Sequence, residues 1–161
     1  MAETSSDRER SLGIELFNRA WALMEKPDRS PEGDDELLHC AHASAYHWAQ
    51  VGTIANRARS EWQCSRVYAV LGRAEPALHH AQRCVELCES APDEMADFDL
   101  PFAFEAMARA YAVAGDEDAA RDWLDRARSA SEKIVDEDDR VLLESDLATI
   151  GGRSLPSVRE R

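Results

Sequence analysis

The sequence contains few residues that interrupt helices and few lysines, and its positive charges are outnumbered by its negative ones. Only seven of its 161 residues are glycine and six are proline, and they cluster where helices would end. Alanine, leucine, glutamate and arginine, which favour helices, dominate the remainder. Lysine occurs only at positions 26 and 133, and the formal net charge is −13. Because nucleic-acid binding needs a basic surface, we expect no nucleic-acid partner.

Long apolar runs and paired cysteine motifs are also missing. No apolar run approaches the roughly 18–20 residues that a membrane span needs, and the polar first ten residues do not resemble a signal peptide. The four cysteines lie within helical patterns and form no C-x-x-C pair, which is typical of a reducing compartment. We therefore predict a cytoplasmic protein with no membrane partner.

Glycine, proline and helix-capping residues divide the sequence into segments that predict an all-α protein of about seven helices. At 161 residues, 44% of them hydrophobic, the chain can bury the core of one domain. Connections of a few residues make neighbouring helices antiparallel. We predict disorder over residues 1–7, one helical domain over 8–150 and a flexible tail over 151–161. Within the domain, three hairpins are expected at about 8–51, 53–90 and 99–133, followed by a capping helix at 136–150.

A short signature recurs in the first helix of each predicted hairpin. It reads RAWAL at 19–23, RVYAV at 66–70 and RAYAV at 109–113. The second and third copies each continue to a glycine four residues after the tyrosine, at Gly72 and Gly115. Repetition at this scale predicts stacked helix hairpins, an α-solenoid, in preference to a closed bundle.

The third unit resembles the tetratricopeptide repeat. The family's W-x2-L-G-x2-Y element is matched by FEAMARAY at 104–111, and its A-x3-F element by Ala120 and Leu124. Small residues at these positions let two helices approach closely, while the aromatic fills the gap to the next hairpin. The resemblance covers residues 11–133 and departs from the family at two points. Tyr68 and Tyr111 are 43 residues apart where the family uses about 34, and Glu132 replaces a final proline.

This resemblance implies a short solenoid that binds an extended peptide in a concave groove lined by the first helix of each pair. The corresponding groove positions in this chain are Arg19, Arg59, Trp62, Arg66, Phe102, Glu105 and Arg109, with Glu15 beside Arg19. Recurring guanidinium groups suit a carboxylate-rich protein or peptide partner. We predict such a binding module, with no catalytic residue and no cofactor. The apolar end faces of a solenoid also favour a homodimer.

The same arginines have a purely structural interpretation. Arg19 follows Glu15, and Arg109 follows Glu105, at the i,i+4 spacing that stabilises a helix by about 0.2–0.5 kcal/mol. Arg66 can likewise pair with a neighbouring hairpin. The recurrence alone leaves the functional and the structural interpretation open.

A histidine stripe supports a second hypothesis, a metal- or small-ligand-binding helical protein. Asp35, His39 and His42 follow one another at i, i+4 and i+7, a spacing that can chelate a metal ion. Glu36 and His39 form one Glu-x-x-His motif, but the second such motif that a di-iron bundle needs is absent. Partly exposed packing histidines are the structural interpretation. His80, Cys84 and Cys88 share another stripe, for which we predict core packing.

Overall fold

The computed structural model describes residues 4–151, which form seven α-helices and no strand. The helices are α1 (Ser5–Met24), α2 (Pro31–Val51), α3 (Ile54–Val70), α4 (Ala74–Ser90), α5 (Asp99–Ala114), α6 (Glu117–Ser131) and α7 (Glu137–Ala148), with a 3-10 turn at Pro92–Glu94. The predicted helical class, helix number and helix order are confirmed. The predicted tail at 152–161 and the first three residues lie outside the described range.

Helix α1 begins earlier than the sequence indicated. The backbone N–H of Asp7 donates to the Thr4 hydroxyl at 3.1 Å, and the Asp7 carboxylate accepts from the Thr4 backbone N–H at 3.3 Å. This reciprocal arrangement is a capping box, which satisfies two of the donors exposed at a helix start. The prediction of disorder through residue 7 is therefore wrong for residues 4–7.

The other helix ends lie close to the positions that the sequence predicted for them. Ser30 caps α2 with Pro31 at the first helical position, and Thr53 and Asn56 form a second capping box at the start of α3. Helix α5 ends at Gly115, whose φ of 80° lies in the left-handed region that glycine adopts at low cost. Side-chain caps and glycine stops thus divide the chain into its hairpins.

Helices α1, α3 and α5 run parallel along one face of the stack. Arg59 of α3 pairs with Asp99 at the start of α5, and Arg66, two turns later, pairs with Glu105, farther along α5. Helix α7 continues the series, because its first turns lie near the start of α5 and its end lies near Arg109. Side chains from α1, α3, α5 and α7 line a single pocket, so we call this surface the concave face.

Buried small residues hold the hairpins together. The residue that follows each recurring arginine, which is Ala20, Val67 or Ala110, is fully buried. Helix α7 is anchored by Leu143 and Leu147, which pack with Ala127 of α6 and against phenylalanines of α5. Helix α7 thus packs against the last hairpin. None of the helices in the described range is long and apolar enough to cross a membrane.

Candidate functional site

Two of the recurring arginines surround a buried carboxylate. Glu105 is completely inaccessible to solvent. One of its oxygens accepts from Arg66 Nη1 at 3.0 Å and from Arg109 Nε at 2.6 Å, and the Trp62 indole N–H donates to the other oxygen at 3.4 Å. A buried carboxylate is tolerated when hydrogen-bonded cations compensate for its lost hydration, and here two do so.

The same two arginines also bind the chain's own last helix. Arg66 Nη2 donates to a carboxylate oxygen of Asp146 at 3.1 Å. Arg109 Nη2 donates to the Asp146 carbonyl at 3.0 Å and to the Thr149 hydroxyl at 2.9 Å. We call Arg66, Glu105, Arg109 and Asp146 the arginine clamp. Their structural interpretation, pairing within a helix and across hairpins, is confirmed, and binding of a partner stays a prediction.

Arg19 does not join this network. It pairs with Glu36 of α2 at 2.6 Å, in place of the expected Glu15, and about half of its side chain is exposed. The aromatic residue of this first unit, Trp21, lies against Trp62 of α3, with ring centroids 5.4 Å apart. The predicted ladder of three arginines along one groove is therefore wrong for its first member, since Arg19 is directed to α2.

A row of aromatic side chains crosses the concave face. From Trp62 of α3, the rings of Trp21 and Phe102 lie 5.4 and 5.6 Å away. Phe17 and Phe98 extend the row at centroid distances of 6.5 and 6.4 Å from Trp21 and Phe102. The predicted groove residues Trp62 and Phe102 thus come together, and they do so within a larger aromatic surface.

This surface encloses a cavity of about 190 Å³, which we call the aromatic pocket. Its floor includes Ala58 and the buried thiols of Cys84 and Cys88. Its walls come from α1, α3, the start of α5 and α7, and comprise Phe17, Arg59, Trp62, Phe98, Asp99, Phe102, Asp139 and Leu142. Since an apolar cavity of about 150 Å³ accommodates benzene, the aromatic pocket has room for an aromatic ring or a branched aliphatic group.

Three charged residues line the pocket, and two of them neutralise each other. Arg59 donates from Nε and Nη2 to the two oxygens of Asp99 at 2.8 and 2.9 Å, and its guanidinium carbon lies 5.1 Å from the centre of the Phe98 ring. The hydrogen bond to Asp99 raises the pKa of Arg59 further. The third charged residue is Asp139, whose carboxylate has no hydrogen bond or ion pair to any residue within 4–151.

The concave groove continues beyond the aromatic pocket toward α1. A second hollow of about 140 Å³ shares Phe17 and Arg59 with the pocket. Its other walls are Ile14, Asn18, Trp48, Asn56 and Ser60. The two hollows therefore adjoin along the concave face.

The histidine stripe does not converge on a metal site. Asp35, His39 and His42 are all exposed, but one side of the His42 ring contacts α3 and α4. Its Nε2 lies 2.9 Å from the Tyr68 hydroxyl, and its ring centroid is 5.3 Å from that of His80. Within residues 4–151, no group of three or more His, Cys, Asp or Glu side chains is arranged to hold a metal ion. The three stripe residues therefore do not form the predicted site.

The contacts of His42 make the stability of the fold dependent on pH. Burial lowers the pKa of His42 below 6.5, and the charges of His80 and His39 lower it further, while Glu61 acts in the opposite direction. The folded state therefore favours neutral His42, so its contribution to stability is complete above pH 6.5 and is lost as the pH falls. We expect His42→Gln to reduce the loss of stability between pH 7.5 and 5.

Urea unfolding at several pH values measures this effect. His79→Gln is the matched control, because His79 is exposed and belongs to the same helix as His80. The control is expected to keep the pH dependence of the wild type. Identical pH dependence in His42→Gln and wild type would contradict the assignment.

Comparison of the chain with models of known protein families, with characterised proteins and with solved structures yields no match. Membership of the tetratricopeptide family therefore stays a prediction from the sequence signature, and what the structure shows is the all-helical stack of hairpins.

Proposed function

We propose that this protein is a tetratricopeptide-like binding module that accepts an apolar portion of a partner peptide in the aromatic pocket. The observation that carries the proposal is an open, almost wholly apolar cavity on the concave face of a helical stack. Pockets with apolar walls and a few polar groups are the usual form of a ligand site. The adjoining hollow favours a peptide over a single small molecule, because it places a second binding position beside the first.

The proposal places the ligand in the aromatic pocket and not at the arginine clamp, because the clamp arginines already pair with residues of this chain. Asp146 and Thr149 of α7 already accept hydrogen bonds from Arg66 and Arg109. A partner that used these guanidinium groups would first have to displace α7. The carboxylate-rich partner stays a prediction, while the pocket offers a largely apolar surface for an apolar anchor.

Filling the pocket from its floor tests the proposal. Ala58 is 1% exposed and lines the cavity, so Ala58→Leu places three additional carbon atoms into space that a ligand would use. The matched control is Ala22→Leu, the same change at an exposed position of α1. A displayed peptide library is selected on immobilised wild-type protein and rescreened on both variants.

We expect enriched peptides to share a bulky apolar residue, to bind Ala22→Leu like the wild type and to lose at least tenfold in affinity for Ala58→Leu. Unchanged circular dichroism and cooperative unfolding establish that Ala58→Leu is folded. Peptides that bind Ala58→Leu as well as the wild type would place the binding surface elsewhere and overturn the proposal.

A further inference from the structure

We infer that the anchor accepted by the aromatic pocket is cationic as well as apolar, an alkylammonium group such as that of a methylated lysine side chain. This inference rests on the proposed peptide-binding function and adds the charge of the ligand. It follows from the charges at the pocket, from the rings that line it and from the surrounding acidic surface.

The charges that line the pocket sum to a negative value. Arg59 and Asp99 form a bidentate pair, so their charges cancel locally. Asp139 contributes one further negative charge, and within the described residues its carboxylate has no partner. An anionic group in the cavity would face this carboxylate without a free cation, whereas an ammonium group would gain an opposite charge beside a largely apolar wall.

The walls favour a cation for a separate reason. Trp62, Phe17, Phe98 and Phe102 all line the cavity. The π-face of an aromatic ring carries negative charge density, and tryptophan attracts cations most strongly. The protein already uses one such contact, with the Arg59 guanidinium near the Phe98 ring. Alkylated ammonium groups combine positive charge with apolar surface, so they match both the rings and the low polarity of the cavity.

The acidic surface around the pocket also attracts positively charged ligands. The first turn of α7 carries Glu137, Asp138 and Asp139, of which Asp139 lines the pocket, while Glu137 pairs with Arg140 at 3.1 Å. The whole chain has a formal net charge of −13. A field of this sign accelerates the encounter with cationic segments and opposes anionic ones, most strongly at low ionic strength.

Three probes of nearly equal shape but different charge show how the charge of a ligand, as distinct from its apolar size, affects its affinity for the pocket. Choline is the cation, 3,3-dimethylbutan-1-ol is its neutral carbon analogue, and 3,3-dimethylbutanoate is an anion of similar bulk. Each is titrated into the full-length protein while NMR follows the Trp62 indole N–H and the backbone of Phe98. We expect choline to bind about two- to tenfold more tightly than the neutral alcohol, and the anion to bind most weakly.

Asp139→Asn and Asp138→Asn form the matched pair of variants. Both remove one negative charge from the first turn of α7, but only Asp139 lines the pocket. We expect Asp139→Asn to weaken choline binding severalfold and to leave the neutral alcohol unchanged, while Asp138→Asn resembles the wild type. Equal affinity for choline and the alcohol, or tighter binding of the anion, would overturn the cationic anchor and leave the apolar pocket intact. Failure of all three probes would contradict the pocket as well.

Two further measurements identify the source of the cation. N-acetyl-trimethyllysine N-methylamide carries the same head group on a peptide side chain and is expected to bind at least as tightly as choline. If choline binds and this compound does not, a free small molecule is indicated and the peptide-binding function is overturned. Binding that appears only after Leu155→Ser and Val158→Ser would instead assign the pocket to the chain's own residues 152–161, and would overturn a partner in trans.

Discussion

Arg66→Met is expected to lower the free energy of unfolding by about 3–5 kcal/mol, the cost of removing one partner from a buried ion pair. The variant leaves the fully buried Glu105 with Arg109 as its one guanidinium partner and removes the hydrogen bond from Arg66 to Asp146. Methionine retains much of the aliphatic length of arginine, so the loss reports on charge and hydrogen bonding. Chemical unfolding monitored by circular dichroism measures it.

The chain provides its own control for this prediction. Arg19 occupies the same place in the repeated signature, but its pair with Glu36 is exposed, and exposed pairs contribute little. We expect Arg19→Met to leave stability close to that of the wild type. Adding Glu105→Gln to Arg66→Met should recover part of the lost stability, because it removes the excess negative charge that Glu105 and Asp146 share once Arg109 is their one remaining guanidinium. Equal losses in Arg19→Met and Arg66→Met would show that the clamp contributes no more than a surface pair.

Leu143→Ala is expected to cost about 2–5 kcal/mol and to detach α7 first. Leu143 is completely buried against Ala127 and Ile134, and truncating such a side chain removes its transfer energy and leaves a cavity. Because α7 is the terminal helix and rests mainly on α5 and α6, its amide hydrogens should lose their protection from exchange before those of α3 and α4.

Leu142→Ala is the matched control, because it makes the same substitution at the adjacent residue without removing a buried side chain. Leu142 is 54% exposed at the edge of the aromatic pocket, so the same change there should alter stability only slightly. Hydrogen exchange measured by mass spectrometry resolves α7 from the other helices. Uniform loss of protection throughout Leu143→Ala would mean that α7 and the three hairpins unfold as one unit.

Local chemistry explains why the helices were predictable. Ser30 with Pro31, Thr53 and Gly115 act within a few residues of the ends that they define. The start of α1 was missed although its cause is also local, because Thr4 and Asp7 lie in a polar segment with no apolar residue to mark a helix. A capping box followed by a helical pattern is the signal that would have found it.

Within the arginine clamp, the specific partner of an arginine was predictable only for Arg109, whose partner lies in its own helix. Arg109 pairs with Glu105 at i,i+4 as the spacing indicated, whereas Arg66 reaches Asp146, 80 residues away. The aromatic pocket likewise assembles Phe17, Phe98 and Leu142 from helices far apart in the sequence. The resemblance to the tetratricopeptide family identified Trp62 and Phe102, because they fall at groove positions four residues before Arg66 and seven residues before Arg109. Phe98 and Asp139 have no counterpart in another unit, so repetition carried no information about them.

The buried cysteines give the molecule a set of native reporters of local opening. Burial raises the pKa of Cys64 to about 12, and the hydrogen bond with Cys88, together with burial, raises that of Cys84 well above its ordinary value. Thiol reagents attack the thiolate, so modification at neutral pH must await exposure of each site. Cys84 and Cys88 lie beneath the pocket that α7 borders, and Cys40 and Cys64 lie in the cluster around α1 and α2. Modification of Cys84 and Cys88 would therefore report the detachment of α7, and modification of Cys40 and Cys64 would report local unfolding of the first hairpin. The order in which the two pairs react would show which event comes first, with no label added to the chain.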